Sequence, residues 1–218
     1  MRPLLALRAR LFAGLLALLP LTAAAEPIGY VAGFDRLYRI DLATGQLTLL
    51  GPIGYSDVEG LAFTSDGLLY GVADASASSG ASLSDLLVRI NTTTGAGTLV
   101  GPLSGLAGIG PSGNLDYGLA ATCDGRLWLS SDTTSQLWEV SPANGTTRLV
   151  GDLGHPVSGL AARGNRLVGV SVGPTPALID IDIDDGTTSV IGNLGVGGIV
   201  DDVGLDFDVS GALACTEG

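Results

Sequence analysis

The sequence predicts an all-β fold of repeated four-stranded units, and three observations carry that prediction. One phrase is written four times: LYRIDLATGQLTLLGPIG from Leu37, LVRINTTTGAGTLVGPL from Leu87, LWEVSPANGTTRLVGDLG from Leu137 and LIDIDIDDGTTSVIGNLG from Leu178. The first leucines stand 50, 50 and 41 residues apart, and Gly51, Gly101, Gly151 and Gly192 keep those spacings, so the copies share one register. A second phrase alternates with the first, reading EGLAFTSDGLLYGVAD from Glu59, YGLAATCDGRLWLSSD from Tyr117, SGLAARGNRLVGVSVG from Ser158 and VGLDFDVSGALACTEG from Val203. Beyond residue 25 no helical periodicity is sustained, and 34 glycines punctuate the whole chain. Small β-units recurring at such a period bury their apolar faces only by stacking on one another.

The turns define the strands in order. In the second phrase, strand A (GLAF) meets strand B (LLYGV) through Ser65-Asp66-Gly67, Cys123-Asp124-Gly125, Arg163-Gly164-Asn165 and Val209-Ser210-Gly211. In the first phrase, strand C (LVRIN) meets strand D (TLVG) through Ala43-Thr44-Gly45, Thr93-Thr94-Gly95, Ala143-Asn144-Gly145 and Asp184-Asp185-Gly186. Residues that tolerate positive φ between two apolar runs signal hairpins. On the C strands, Tyr38/Ile40, Val88/Ile90, Trp138/Val140 and Ile179/Ile181 make one apolar face, with Arg39, Arg89, Glu139 and Asp180 on the other. Four-stranded units at this spacing read as blades of a β-propeller. In a ring of four, Arg89 would neighbour Glu139, and Asp180 would neighbour Arg39.

The ends set the closure. The body opens with strands B, C and D from about Ile28 and finishes with strands A and B over residues 203–216. Joining that last A strand to the opening B-C-D set completes a fourth blade and clasps the ring. The final strand then competes with residues 29–33 for one place, so an incomplete five-bladed or open array is the alternative.

Residues 1–25 read as a signal peptide: Arg2, Arg8 and Arg10, an apolar run over residues 11–19, then Ala23-Ala24-Ala25 before Glu26. The uncharged stretch is shorter than the ~20 residues a bilayer span needs. Residues 26–218 are the propeller domain, expected to be secreted or periplasmic and monomeric. Losing three arginines with the leader takes the formal charge from −12 to −15. The chain has no lysine and its arginines are scattered, which argues against nucleic acid and anionic membrane surfaces as partners. Registering the repeats places Cys123 in a turn and Cys215 inside a strand two blades away. A disulfide requires Cα atoms within ~7 Å, so two separate thiols are expected.

The phrases GLAFTSDGLLYGV and LYRIDLATGQLTLLGPIG resemble those of secreted bacterial β-propeller repeat proteins, a broad superfamily with lactonase-like and quinoprotein-like members. The likeness covers nearly all of residues 27–218 and rests on glycines, turns and core positions, so it implies fold and export. Glu59-Gly60 also resembles the metal-binding Glu-Gly of lactonase-type propellers. That resemblance implies an alternative: a divalent-metal hydrolase with Asp57, Glu59, Asp116 and Asp202 as ligands and base.

Several motif matches are read as structure. Gly169-Val170-Ser171-Val172-Gly173 fits a nucleophile elbow, which needs a strand-to-helix turn that is missing here. Gly108-Ile109-Gly110-Pro111-Ser112-Gly113 fits a dinucleotide loop but opens no helix. Asp180, Asp182, Asp184 and Asp185 resemble a calcium cluster, yet Asp182 aligns with Asp41, Asn91 and Ser141, which brace a following turn. His155 is the only histidine and is expected in an exposed loop. The insertions over residues 75–84 and 102–115 are Ser/Gly/Ala-rich linkers.

One constellation remains. Connections from strand D to the next strand A deliver the chain to the channel, and just before strand A they carry Asp57, Glu59, Asp116, Asp201 and Asp202, with His155 and Ser158 in the remaining blade. Carboxylates from three blades are expected at one channel mouth, able to take a weak divalent cation or accept hydroxyl donors from a sugar-like ligand. The expected function is an exported, non-enzymatic binding module for a protein or carbohydrate partner, with no cofactor.

Overall fold

The computed structural model describes residues 28–74, 85–106, 116–195 and 204–205. Its strands form four antiparallel sheets set as the blades of a four-bladed β-propeller. Blade I holds β1 (Ile28–Gly33), β2 (Arg36–Asp41) and β3 (Leu47–Pro52). Blade II holds β4 (Ser56–Phe63), β5 (Leu69–Asp74), β6 (Leu86–Ile90) and β7 (Gly97–Pro102), followed by one 3-10 turn, Ser104–Leu106. Blade III holds β8 (Tyr117–Ala121), β9 (Leu127–Ser131), β10 (Gln136–Val140) and β11 (Thr147–Asp152). Blade IV holds β12 (Val157–Arg163), β13 (Arg166–Ser171), β14 (Ala177–Ile181) and β15 (Thr188–Asn193). Each sheet is a simple meander of consecutive strands, most of them joined by connections of two to six residues.

Strands β4, β8 and β12 are innermost, and Leu61, Leu119 and Leu160 on them line one central cavity. Leu205 lines the same cavity together with Ala32 of β1, so residues 204 and 205 lie beside the first blade. The four-bladed ring expected from the repeats is what forms, while the closing A strand expected over residues 203–216 lies mostly outside the described residues. The hairpin turns are held by their own polar side chains: Asp41 Oδ1 accepts from the N–H groups of Ala43 and Thr44, and Asn91 Oδ1 from those of Thr93 and Thr94. Asp182 Oδ1 likewise accepts from the Asp184 N–H, so this aspartate run braces a turn, as its alignment indicated.

Apolar clusters fill the spaces between blades. Leu37, Ile53, Val58, Leu69, Val88 and Ile90 join blades I and II. Leu87, Leu103, Leu119, Trp138 and Val140 join II and III, and Trp128, Leu137, Leu153, Val157, Ile179 and Ile181 join III and IV. Each such side chain contributes roughly 1.5–3 kcal/mol on leaving water. The glycine closing each of the first three copies of the repeat has a packing reason. A Cβ at Gly51 would stand 2.3 Å from the Thr94 carbonyl oxygen, at Gly101 1.9 Å from that of Asn144, and at Gly151 1.7 Å from that of Asp185. Three seams are therefore locked by a D-strand glycine seated on the C–D turn of the next blade.

The fourth seam is different. A Cβ at Gly192 would meet nothing within 4 Å. Leu194 is 43% exposed, whereas its counterparts Ile53, Leu103 and Leu153 are at 2%, 0% and 1%. Leu178 is half-buried where Leu37, Leu87 and Leu137 are fully buried, and Tyr38 and Ile40 are half-buried on the facing side of blade I.

Two expectations need correction. Asp180 pairs with Arg166 of its own blade (Nε to Oδ1, 2.7 Å), and Glu139 pairs with Arg148, also within its blade. Neighbouring strands lie ~4.8 Å apart and facing sheets ~10 Å apart, so these side chains reach an in-sheet partner first. Cys123 is also disulfide-bonded. The chain's other cysteine is Cys215. Cys215 lies outside the described residues.

Candidate functional site: an acidic channel mouth

The central cavity measures about 340 Å³ and is lined by Val58–Leu61-type positions of three innermost strands, with Gly204 and Leu205 from the chain's end. Its acidic end is built by distortions in β4. Register shifts fall between Ser56 and Val58 and between Glu59 and Leu61. Asp57 and Gly60 adopt left-handed backbone, with φ of 48° and 46°. Bulges of this kind re-aim the side chain between them, here Glu59. A Cβ at Gly60 would stand 2.8 Å from the Tyr117 carbonyl oxygen, so only glycine lets β4 approach β8 this closely.

That approach lets the Tyr117 N–H donate to Glu59 Oε2 at 3.0 Å and brings the Asp116 carboxyl into hydrogen-bond contact with Glu59. Burial pushes the Glu59 carboxyl up to about 9, reinforced by the hydrogen bond and charge of Asp116 and by the charge of Asp57, against the opposing Tyr117 N–H. The Glu59 carboxyl therefore stays protonated at neutral pH.

The surroundings deepen the negative potential. Asp74, at the end of β5, is pushed up to about 6 by burial and then by the charges of Asp85, Asp57 and Asp116. Asp85 is buried and accepts the Tyr117 hydroxyl at 2.6 Å. Burial, followed by that hydrogen bond, raises the Tyr117 phenol well above its ordinary range. Asp132 Oδ1 accepts from the Asp116 N–H at 3.3 Å. The ion pairs found among the described residues involve Asp35, Asp124, Glu139 and Asp180, and none involves Asp57, Glu59, Asp74 or Asp116.

The structure thus brings Asp57, Glu59 and Asp116 together, as the repeat register indicated, while Asp201 and Asp202 lie outside the described residues. Among the described residues, no three of His, Cys, Asp and Glu converge closely enough to hold a metal ion. Asp74, Asp85, Asp132 and Tyr117 escaped the sequence reading. The signal was there: an antiparallel meander ends strand B on the face where strand A begins, so acids closing B and opening C belong to the same mouth. His155 is exposed and Ser158 buried. Ser171, of the apparent nucleophile elbow, is buried in β13 and clasps Ala177, accepting from its N–H at 3.0 Å. The apparent dinucleotide loop lies outside the described residues. A second cavity, about 420 Å³, sits on blade IV among Arg166, Asp180, Asp182 and Ser189.

No family model and no curated protein matches the chain. Solved structures do resemble it. A Bacteroides thetaiotaomicron protein of unknown function superposes with a TM-score of 0.60 at 18% identity, over 83% of this chain and 50% of the other. A nidogen/laminin complex gives 0.57 at 13% identity, over 83% and 66%. The PQQ-bound aldose sugar dehydrogenase of Streptomyces coelicolor gives 0.51 at 16% identity, over 82% and 67%. The chain spans half the length of the first of these and about two thirds of the others. Identities this low establish the propeller fold and nothing of the activity.

Proposed function

We propose that the chain is an exported β-propeller binding module that recognises a protein or carbohydrate partner at the acidic end of its channel. The observation that carries this reading is the half-buried Glu59–Asp116 pair beside Asp57 and Asp74, in which the Glu59 carboxyl stays protonated at neutral pH. Such a pair offers an O–H donor together with acceptor oxygens, which matches the hydroxyl groups of a sugar. It equally favours exchanging its proton for a lysine or arginine side chain of a protein partner. The cavity volume lies within the usual range of small-ligand sites, and Leu61, Leu119 and Leu160 supply an apolar wall. Among the solved structures similar to this one, a nidogen/laminin complex is an assembly of proteins and an aldose sugar dehydrogenase is an enzyme. The scaffold accommodates either role, and the mouth residues support binding.

Calorimetric titration of residues 26–218 with neutral oligosaccharides and with an arginine- and lysine-containing peptide tests the reading. Saturable binding that Asp116→Asn weakens tenfold or more is expected. Binding left unchanged by Asp116→Asn and by Asp57→Asn would remove the site from the channel mouth and overturn it.

A further inference from the structure

Phe34 is 76% exposed, the most exposed large apolar side chain among the described residues. Other exposed apolar side chains belong to the repeat. Leu49, Leu99, Leu149 and Val190 pair with Tyr38, Val88, Trp138 and Ile179, one equivalent place on the outermost strand of each blade. Phe34 belongs to no such pattern. It opens the two-residue turn Phe34-Asp35 between β1 and β2, in left-handed backbone with φ of 55°. Glycine, asparagine or aspartate is favoured at such a place, because a bulky side chain strains left-handed backbone. Among the described residues one other non-glycine is left-handed, Asp57 of the mouth, and hydrogen bonding ties the two segments together: the Val58 N–H donates to the Phe34 carbonyl at 2.8 Å. A second bond, from the Ile53 N–H to the Asp35 carbonyl at 2.7 Å, clamps the turn on its other side. Ala32 and Val58, which flank that contact, both line the channel. The fold thus holds an exposed aromatic side chain in a disfavoured conformation beside the segment that carries Asp57 and Glu59.

We propose that Phe34 is the stacking platform of the channel mouth and that the ligand is a carbohydrate, one sugar ring lying on Phe34 while its hydroxyl groups reach Asp57 and Asp116. The inference rests on the channel-mouth reading above and narrows its ligand from protein or carbohydrate to carbohydrate. A sugar ring presents an apolar face of C–H bonds together with hydroxyls that both donate and accept. Phe34 meets the first of these. Carboxylate oxygens accept from hydroxyls, and the protonated Glu59 carboxyl donates to one. A lysine or arginine side chain carries no acceptor and leaves that donor unused. Covering Phe34 with a ligand also removes from water the apolar surface that the free protein leaves there.

Calorimetric titration of residues 26–218 with maltohexaose, cellohexaose, mannohexaose and chitohexaose tests the proposal. At least one should bind saturably. Phe34→Ala should weaken that binding about tenfold or more with the thermal midpoint unchanged, and Phe34→Trp should retain it. Phe34→Asn, which suits the turn, should hold or raise the midpoint and still lose the binding; a residue serving only the turn would show the first effect without the second. Binding weakened by Asp116→Asn but untouched by Phe34→Ala would leave the mouth reading standing and overturn the role of Phe34. Binding of an arginine- and lysine-containing peptide in place of all four sugars, weakened by Asp116→Asn, would likewise spare the mouth and overturn the carbohydrate assignment. No binding of either kind overturns both.

Discussion

Replacing Glu59 with glutamine isolates the energetic cost of the acidic mouth. Glutamine keeps the shape of a protonated carboxyl, can accept from the Tyr117 N–H and can donate to Asp116, but has no charge to desolvate. In the unfolded chain Glu59 titrates near 4.5 and in the folded protein near 9. Folding at neutral pH therefore takes up a proton, and stability falls as pH rises from about 4.5 to about 9. Holding that proton at pH 7, 2.5 pH units above the unfolded value, costs about 3 kcal/mol at full weight. Because the side chain is only partly buried, solvent screening reduces this to about 1–2 kcal/mol. Urea unfolding of native and Glu59→Gln proteins at pH 4, 7 and 9 reads the difference. The variant should match the native protein at pH 4, exceed it by about 1–2 kcal/mol at pH 7 and exceed it further at pH 9. Parallel pH profiles for the two proteins would refute the description of Glu59 as a carboxyl that keeps its proton at neutral pH.

The other predictions are more compact. Gly101→Ala should destabilise by about 3 kcal/mol or more in thermal unfolding, since its Cβ would stand 1.9 Å from the Asn144 carbonyl oxygen; Gly192→Ala, with nothing within 4 Å, should change stability by no more than about 0.5 kcal/mol. Tyr117→Phe removes the hydroxyl donor to buried Asp85 and should cost about 1–3 kcal/mol, measured by denaturant unfolding. A thermal-shift scan with Ca²⁺, Mg²⁺, Mn²⁺ and Zn²⁺ should leave the midpoint unmoved. A rise of several degrees that Asp57→Asn abolishes would favour the metal-hydrolase alternative.

Much of the fold was legible because it is written repeatedly. Gly45, Gly95, Gly145 and Gly186 all carry positive φ at the C–D turn, and the alternation around Val88 and Ile90 fixes which face of each blade meets its neighbour. Strand register follows from short turns, so Asp57, Glu59 and Asp116 could be placed at one end of the channel before any coordinates. Their chemistry could not. Whether Glu59 keeps its proton depends on a bulge at Gly60 and on angstrom-scale approach between β4 and β8, neither of which has a local sequence signature. Ion pairing was misjudged for a related reason. Arg166 and Asp180 are close because two strands of one sheet pair diagonally, a spacing that repeat alignment across blades does not weigh.

By itself the sequence determined the repeat, the antiparallel order within each blade, the buried leucines and the sign of charge at the mouth. Those depend on short-range periodicity and on turn geometry, which neighbouring residues dictate. The tertiary structure alone decided that three seams interlock and the fourth does not, that Cys123 is disulfide-bonded, and that Glu59 holds its proton at neutral pH. Each of these depends on distances between groups far apart along the chain, and such distances exist only once the blades have closed around their axis.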